Sequence, residues 1–325
     1  MRRGLLWSAA VALLGIAACE QFQPDALAAL SAIPPWCWLV ACVGLGSLGV
    51  AGATRWEKIA AGVILLSFLM FSVEQSRSIS RSAWYSTVGS SEHRDRSHVR
   101  VVTINCNVGS RQAADEVTRF DPDIVLLQES PSEQVAHEMA ESMFGGEAGV
   151  VWSADCSILA RGQLRPSNHK EKHFVQATLA LVDGQTMEVI CLRLSPPLVR
   201  YDLWAPSCWI DHAHIRQKHR EEAAAILNAL SGVPIERPIL IGGDCNAPSG
   251  DGALRVWSLR LHDAFTVSGL GWGATVLNAV PVLRFDQLWC SDDLEAVAVW
   301  SVKTQHSDHR LVVGDFNMAP HRERQ

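Results

Sequence analysis

Three stretches among the first 73 residues carry no charged side chain: Gly4 to Cys19, Ala26 to Thr54 and Ile59 to Val73. Such runs must be buried, in a protein core or in a bilayer, and a hydrocarbon core of ~30 Å takes about 20 apolar residues in helical form. The second run is long enough to span. The third is marginal, with Lys58 at its edge to snorkel. The first follows Met1-Arg2-Arg3, the start of a signal peptide or of a first membrane helix. Ile16-Ala17-Ala18-Cys19 also reads as a bacterial lipobox, in which cleavage leaves an acylated cysteine and two crossings instead of three. Arg2 and Arg3 precede the first run, and Arg55 and Lys58 separate the second from the third, which sets the N-terminus in the cytoplasm. Either way the chain after Val73 is expected outside the cytoplasm, on a multi-pass inner-membrane anchor facing the periplasm. Arg77 and Arg81 pull the other way, since they would also suit an inside face.

The overall composition, 48% hydrophobic and 19% charged, reflects this anchor; the remainder is ordinary for a globular domain. The expected division is therefore an anchor over 1–73 with about three transmembrane helices, a Ser- and Arg-rich linker over 74–97, a catalytic domain over 98–318 and a tail over 319–325. From residue 98 onward 20 Lys and Arg stand against 28 Asp and Glu, a net of −8. An acidic domain is poorly suited to gripping a long nucleic-acid backbone, which calls for a basic stripe. Nine cysteines are present. Cys106, Cys191 and Cys245 lie in or at the ends of apolar strand patterns and read as buried thiols, and no spacing resembles a zinc site.

Within the domain, His98 to Asn105 alternates as a strand and Ala113 to Phe120 reads as a short helix. Asp123 to Gln128 is a buried strand ending at Glu129, followed by a helix start with Ser130 as N-cap, Pro131 at the first position and Glu133 closing a capping box. His173 to Val182 and Gln185 to Leu194 form a hairpin through Asp183-Gly184. A helix runs from about Asp211 to Leu230, with His212, His214 and His219 read as its solvated face and Trp204 and Trp209 before it as core. A strand leads into Ile241-Gly242-Gly243-Asp244-Cys245-Asn246. A short helix near Leu254 to Leu259 and strands at Phe285 to Cys290, Ala296 to Val302 and Arg310 to Val313 complete the pattern. Hairpins mixed with strand–helix units point to α+β layers with two sheets.

The ends of separate strands thus present Asn105, Glu129, Asp244 with Asn246, Asp286, and Asp308 with His309. Carboxylates without thiolates make a hard oxygen site of the kind that holds Mg²⁺ or Mn²⁺ and leaves room for phosphate oxygens. A phosphodiester repels hydroxide, so a cation must offset its charge while a carboxylate orients the attacking water. Each residue also has a local reading: Asp244 and Asn246 as an Asx turn, Asn105 or Asn107 as a turn cap, Asp286 as a surface acid beside Arg284.

The ordered motifs TINCN, LLQES, GGDCNAP, RFDQL and SDH resemble the endonuclease/exonuclease/phosphatase superfamily, whose fold is that of deoxyribonuclease I, over residues 98 to about 318. The resemblance implies a four-layer sandwich of two packed β-sheets with outer helices, and Mg²⁺-dependent phosphoester hydrolysis. It implies Glu129 as principal metal ligand, with Asn105 and Asp308 beside the metal. Asp244 would orient and deprotonate water, Asn246 would hold the phosphate or nucleophile, and His309, oriented by Asp286, would bond the phosphoryl oxygen. The chain departs from the family at CLRLSPP, where Arg193 stands in the place of a usual histidine. A guanidinium stays protonated and can grip two phosphate oxygens, so Arg193 is expected to bind substrate, the alternative being a salt bridge to a neighbouring acid such as Asp202. The leading expectation is a membrane-tethered hydrolase of phosphoesters, chiefly phosphodiesters, with a monomeric catalytic domain. An extracytoplasmic nuclease acting on DNA or RNA and a catalytically inactive binding module are the alternatives.

Overall fold

The structure is a computed structural model and describes residues 2–88, 98–167, 171–181 and 184–318. Its N-terminal part is a set of helices: α1 (Arg2–Phe22), α2 (Ala28–Ser31), α3 (Pro35–Ser47), α4 (Arg55–Phe71) and α5 (Glu74–Val88). Among the described residues one helix, α1, is long and apolar enough to cross a membrane over Arg3–Phe22. Up to three spans result only if each of two bent pairs counts as one, and these pairs, α2 with α3 and α4 with α5, bend by 77° and 70°. The second apolar run is therefore not one straight span. Pro34 is extended (φ −54°, ψ 140°) and Pro35 opens α3, because a proline pair inside a helix would remove donors and clash with the preceding turn. Thr54 and Glu57 close a reciprocal capping box at the start of α4.

The linker expected over 74–97 is helical as far as Val88, and the rest of it, like the 319–325 tail, lies outside the described residues. A Ser/Arg helix has little apolar face to bury, and α5 is held instead through polar contacts with the domain. Arg81 donates to the carbonyls of Phe265, Thr266, Val267 and Gly269, and Ser78 Oγ donates to Gly271 O. These are acceptors left open at the end of a short helix.

The remaining elements, in chain order, are β1 (His98–Asn105), α6 (Arg111–Asp115), β2 (Ile124–Gln128), α7 (Glu133–Phe144), β3 (Ala148–Val151), β4 (Cys156–Arg161), β5 (Gln163–Pro166), β6 (Phe174–Ala180), β7 (Thr186–Arg193), α8 (Pro206–Ala229), β8 (Ile239–Asp244), β9 (His262–Asp263), α9 (Ala264–Ser268), β10 (Gly269–Leu270), β11 (Asp286–Cys290), β12 (Leu294–Val302) and β13 (Leu311–Met318). One sheet runs β10-β12-β13-β1-β2-β4-β3 and the other β5-β6-β7-β8-β11-β9. Both are mixed, with β1 parallel to β2, β10 to β12 and β7 to β8 among antiparallel neighbours.

Period-two alternation explains the layers. Val101, Leu126, Val189, Leu240 and Leu288 face the other sheet and form the central core. Their strand neighbours Ile104, Leu127, Ile190, Ile241 and Trp289 face outward, to α6 and α7 on one side and to α8 on the other. The result is the expected α+β arrangement of two packed sheets with flanking helices. At Gly242 a Cβ would meet Leu126 Cδ1 and Leu288 Cδ2, each at 2.6 Å, and at Gly243 (φ +141°) it would meet Leu192 O at 2.0 Å. The glycine pair thus lets β8 run close to both its neighbour strand and the facing sheet just before Asp244.

Several local expectations shift. The N-cap of α7 is Ser132, not Ser130, because the buried Ser130 hydroxyl is committed to Ser157 Oγ. The helix expected over Ala113 to Phe120 is α6 followed by a 3₁₀ segment, Glu116–Phe120. Strands β3, β4 and β5 were not expected. Val182 and Asp183 of the expected hairpin turn lie outside the described residues, while β6 and β7 pair antiparallel as a hairpin requires. Trp204 is 86% exposed rather than core. His212 and His219 are buried rather than solvated, with Nε2 atoms on Arg200 O (2.8 Å) and Ser195 O (2.7 Å). All nine cysteines are free thiols, and Cys106, Cys191 and Cys245 are buried.

Candidate active site

Strand register brings the named residues to one edge of the sandwich. In β1 and β2, Asn105 lies opposite Gln128, so Glu129 leaves its strand beside Asn105. In the second sheet Asp244 is the register partner of both Arg193 on β7 and Asp286 on β11. The loop before β13 is tied to the first sheet, since Ser307 Oγ donates to Asn105 O (2.7 Å) and receives the His309 N–H (3.0 Å). Four of the seven non-glycine residues with positive φ among the described residues sit here: Asn107, Val108, Glu129 and Asn246. Left-handed backbone costs energy in a non-glycine residue, and its concentration at a strand edge marks a place held for function.

Asn105 joins the two sheets chemically. Its Nδ2 donates to Glu129 Oε1 (3.3 Å) and to Asp244 Oδ2 (3.1 Å), while its Oδ1 accepts the Asn107 N–H (3.0 Å). The turn-cap reading is therefore realised, and the same side chain touches both acids. Asp244 likewise caps its own turn, accepting the Asn246 N–H at Oδ1 (2.9 Å), and the Asn246 amide nitrogen donates to Leu194 O (2.8 Å). One N–H of that nitrogen is committed, so Asn246 keeps its acceptor Oδ1 and a second N–H, which suit an attacking water or a phosphate oxygen.

Asp244, Asp286 and His309 form a group whose candidate ligand atoms all lie within 4.8 Å of one another. His309 Nδ1 and Asp286 Oδ2 are 2.8 Å apart. Asp286 is fully buried, and its Oδ1 has no hydrogen-bond partner among the described residues. Burial disfavours charge on His309, but the Asp286 carboxylate outweighs it and pushes the imidazole up to about 10, so His309 is an imidazolium at neutral pH. Asp244 moves up to about 6, through burial first and then the charge of Asp286. A carboxylate poised near neutrality can accept a proton from water and release it again.

Glu129 stands apart from that trio. Its Oε2 accepts the Val108 N–H (2.6 Å), and its Oε1 pairs with Arg193 Nη2 (2.7 Å). Burial would raise this carboxyl, yet the Val108 N–H, Arg193 and Asn105 together hold it below the usual range. Arg193 also approaches Asp155 (3.5 Å), and its Nε is buried without a partner. The alternative, a salt bridge to a neighbouring acid, is thus realised, with Glu129 and Asp155 and not with Asp202, which Arg200 engages (2.6 Å). Asp308 is exposed next to His309, with its backbone carbonyl on the Asn278 N–H (2.8 Å), and belongs to neither cluster. Sequence reasoning missed Asp155 and Val108, for which no local signal exists, and Ser307, which stood inside the SDH motif.

The donor chemistry fits a hard divalent cation. Two carboxylates, Glu129 and Asp244, converge on a single nitrogen, and a third, Asp286, keeps a buried lone pair unsatisfied; oxygen-rich sets of this kind suit Mg²⁺ or Mn²⁺.

A two-sheet sandwich with acids, an amide and an oriented imidazole gathered at its strand ends is the framework of a hydrolytic enzyme. The model of the Endonuclease/Exonuclease/phosphatase family matches residues 102–309, well over half of the 325, and the chain belongs to this family, whose members are hydrolases. No curated protein matches it by sequence. Among solved structures it is similar to an endonuclease/exonuclease/phosphatase from Bacteroides vulgatus (14% identity, 69% of this chain and 100% of that one, TM-score 0.53). It is also similar to the Bacteroides thetaiotaomicron mannosyl-6-phosphatase (13%, 67% and 99%, TM-score 0.50). A third is D. rerio TDP2 complexed with single strand DNA product (13%, 68% and 100%, TM-score 0.51). At these identities the likeness establishes the fold.

Proposed function

We propose that the protein is a membrane-tethered, Mg²⁺-dependent hydrolase of phosphoester bonds, chiefly phosphodiesters. The observation that carries this reading is the placement of the buried Asp244–Asp286–His309 group beside the Asn105–Glu129 pair at one sandwich edge. Asp244 takes the proton of the attacking water, which Asn246 Oδ1 helps to hold. The His309 imidazolium, kept in orientation by Asp286, bonds a phosphoryl oxygen as negative charge builds there. Glu129 and Asn105 would hold Mg²⁺ or Mn²⁺. A bound cation would offset phosphate charge and polarise the P–O bond. Arg193, anchored on Glu129 and Asp155 with Nε–H unused, is placed to grip a phosphate oxygen. The net −8 of the domain favours a small phosphoester over a nucleic acid. The nuclease alternative would be favoured by tight, strongly salt-dependent binding to DNA or RNA.

Turnover of bis-p-nitrophenyl phosphate by the full chain in detergent tests this function. Release of nitrophenol is expected with Mg²⁺, none with excess chelator, and a roughly tenfold or greater loss in Arg193→Lys, which keeps charge but loses the planar fork. No release with either Mg²⁺ or Mn²⁺ rejects the reading, and an unchanged Arg193→Lys rejects the role of Arg193.

The orientation proposed is cytoplasmic at the N-terminus with the catalytic domain outside, as part of a multi-pass anchor. Supporting it, Arg3 bonds Glu57 at the start of α4 (2.7 Å), so Arg3, Arg55 and Lys58 share one end of the helix set. The domain is attached at the other end, where Arg216 donates to the carbonyls of Gln23 and Pro24 and Arg220 pairs with Asp25 (2.6 Å). Alkaline phosphatase fused after Gln325 is expected to be active and green fluorescent protein dark; the reverse pattern inverts the topology.

A further inference from the structure

A cavity of about 260 Å³ lies between the catalytic domain and the N-terminal helices. Its wall is apolar, with Leu198, Ile215, Val276, Val282, Leu283 and Phe285. The polar side chains that reach it are mostly engaged: Arg216 pairs with Asp251 (3.1 Å), although its buried Nη2 has no hydrogen-bond partner among the described residues, and the Nε2 atoms of His212 and His219 lie on backbone carbonyls. Such a lining offers little to a polar ligand and favours an alkyl chain.

Where the cavity leads decides its use. At one end it is lined by Asn246 and by Phe285, the residue before Asp286, and Val276 bridges His309 through the backbone. At the other end it touches Ala28 and Ala32, in the segment between α1 and α3. The loops on its rim carry exposed apolar side chains, including Val199 (77%) and Leu277 (59%). Nearby, Trp36 at the start of α3 meets Trp272 of the domain with ring centroids 5.8 Å apart, an aromatic pairing of the kind that sits at a bilayer surface. The cavity therefore runs from residues that flank the site acids, Asn246 and Phe285, to the end of the helix set from which the domain hangs.

We infer that this cavity is the tail subsite of the active site, and that the substrate is a phosphoester carrying an alkyl chain, taken from a membrane surface. The inference rests on the phosphoester reading above and narrows it. Chain and phosphate bind together: the phosphate lies among Asp244, His309 and Arg193, and the first several methylenes lie along Val276, Val282 and Leu283.

The test is the affinity of alkyl phosphates, methyl through octyl, measured calorimetrically on the full chain in nanodiscs with empty nanodiscs as reference. Affinity should rise about three- to fourfold for each methylene that enters, until the cavity is full. Ala32→Trp, which plugs it from the helix side, and Leu198→Asp, which places a charge in its wall, should each flatten this dependence. A flat series, or a slope unchanged in both variants, overturns the subsite, because partition into the bilayer would then explain any trend. Nitrophenyl-ester turnover on the same preparation separates the two readings. Turnover with a flat series removes the tail subsite alone, and a steep series without turnover removes the hydrolase alone.

Discussion

Asp244→Asn is expected to lower hydrolysis of bis-p-nitrophenyl phosphate by at least about 100-fold, the usual cost of removing a group that acts only as the transition state forms. The side chain keeps its shape but can no longer accept a proton from water. The fold should tolerate the change, because Asp244 is buried beside another acid and its own charge is disfavoured there, to the point of moving its pKa up to about 6. An amide relieves that repulsion. Oδ1 can still accept the Asn246 N–H, and the cost falls on the contact with Asn105 Nδ2, where donor now meets donor. His309→Asn should reach a similar loss by a different route, since it withdraws the cation facing the phosphoryl oxygen. A soluble, folded Asp244→Asn protein with wild-type turnover would remove Asp244 from the chemistry.

The largest effect on stability is expected at Arg284, which is only 4% exposed. Its guanidinium joins Asp263, which caps α9, to Glu74 at the start of α5 (2.7 Å). Truncation to alanine leaves two acids facing each other without a counter-charge in a buried place, a loss of about 3–5 kcal/mol. The denaturation midpoint of the full chain should fall accordingly. Glu74→Ala in the Arg284→Ala background should cost far less than in the wild type, the mark of a coupled pair. Equal costs in the two backgrounds would mean that α5 is not held to the domain through this arginine.

Several candidate site residues stand out in the sequence because they sit where an apolar run begins or stops. Glu129 follows IVLLQ, Asp244 follows ILIGG, and a strand exit is where side chains from several loops can meet. What the sequence lacks is the pairing across sheets. Nothing local marks that Arg193 lies on Glu129 and not on Asp202, since the packing of one sheet against the other decides it. The misread histidines have the same origin. Helix α8 has no single wet face: it packs on β7 and β8 with Ile226 and Ala223 and on the N-terminal segment through Arg216 and Arg220. Its polar residues are buried by a contact that no periodicity within the helix reveals. Strand β4 escaped notice because CSILAR is short and flanked by polar residues, although it is buried along most of its length. The polar α5 is ordered by carbonyl acceptors of a distant segment, which composition does not record.

The most direct measurement is the fate of labelled oxygen when methyl p-nitrophenyl phosphate is hydrolysed in ¹⁸O-water with Mg²⁺. Attack of water on phosphorus puts one ¹⁸O into methyl phosphate and none into p-nitrophenol, and the Asp244→Asn protein should form almost no labelled product over the same interval. Label in the p-nitrophenol, or labelled methyl phosphate formed as fast by Asp244→Asn as by the wild type, would contradict hydrolysis at phosphorus by this site.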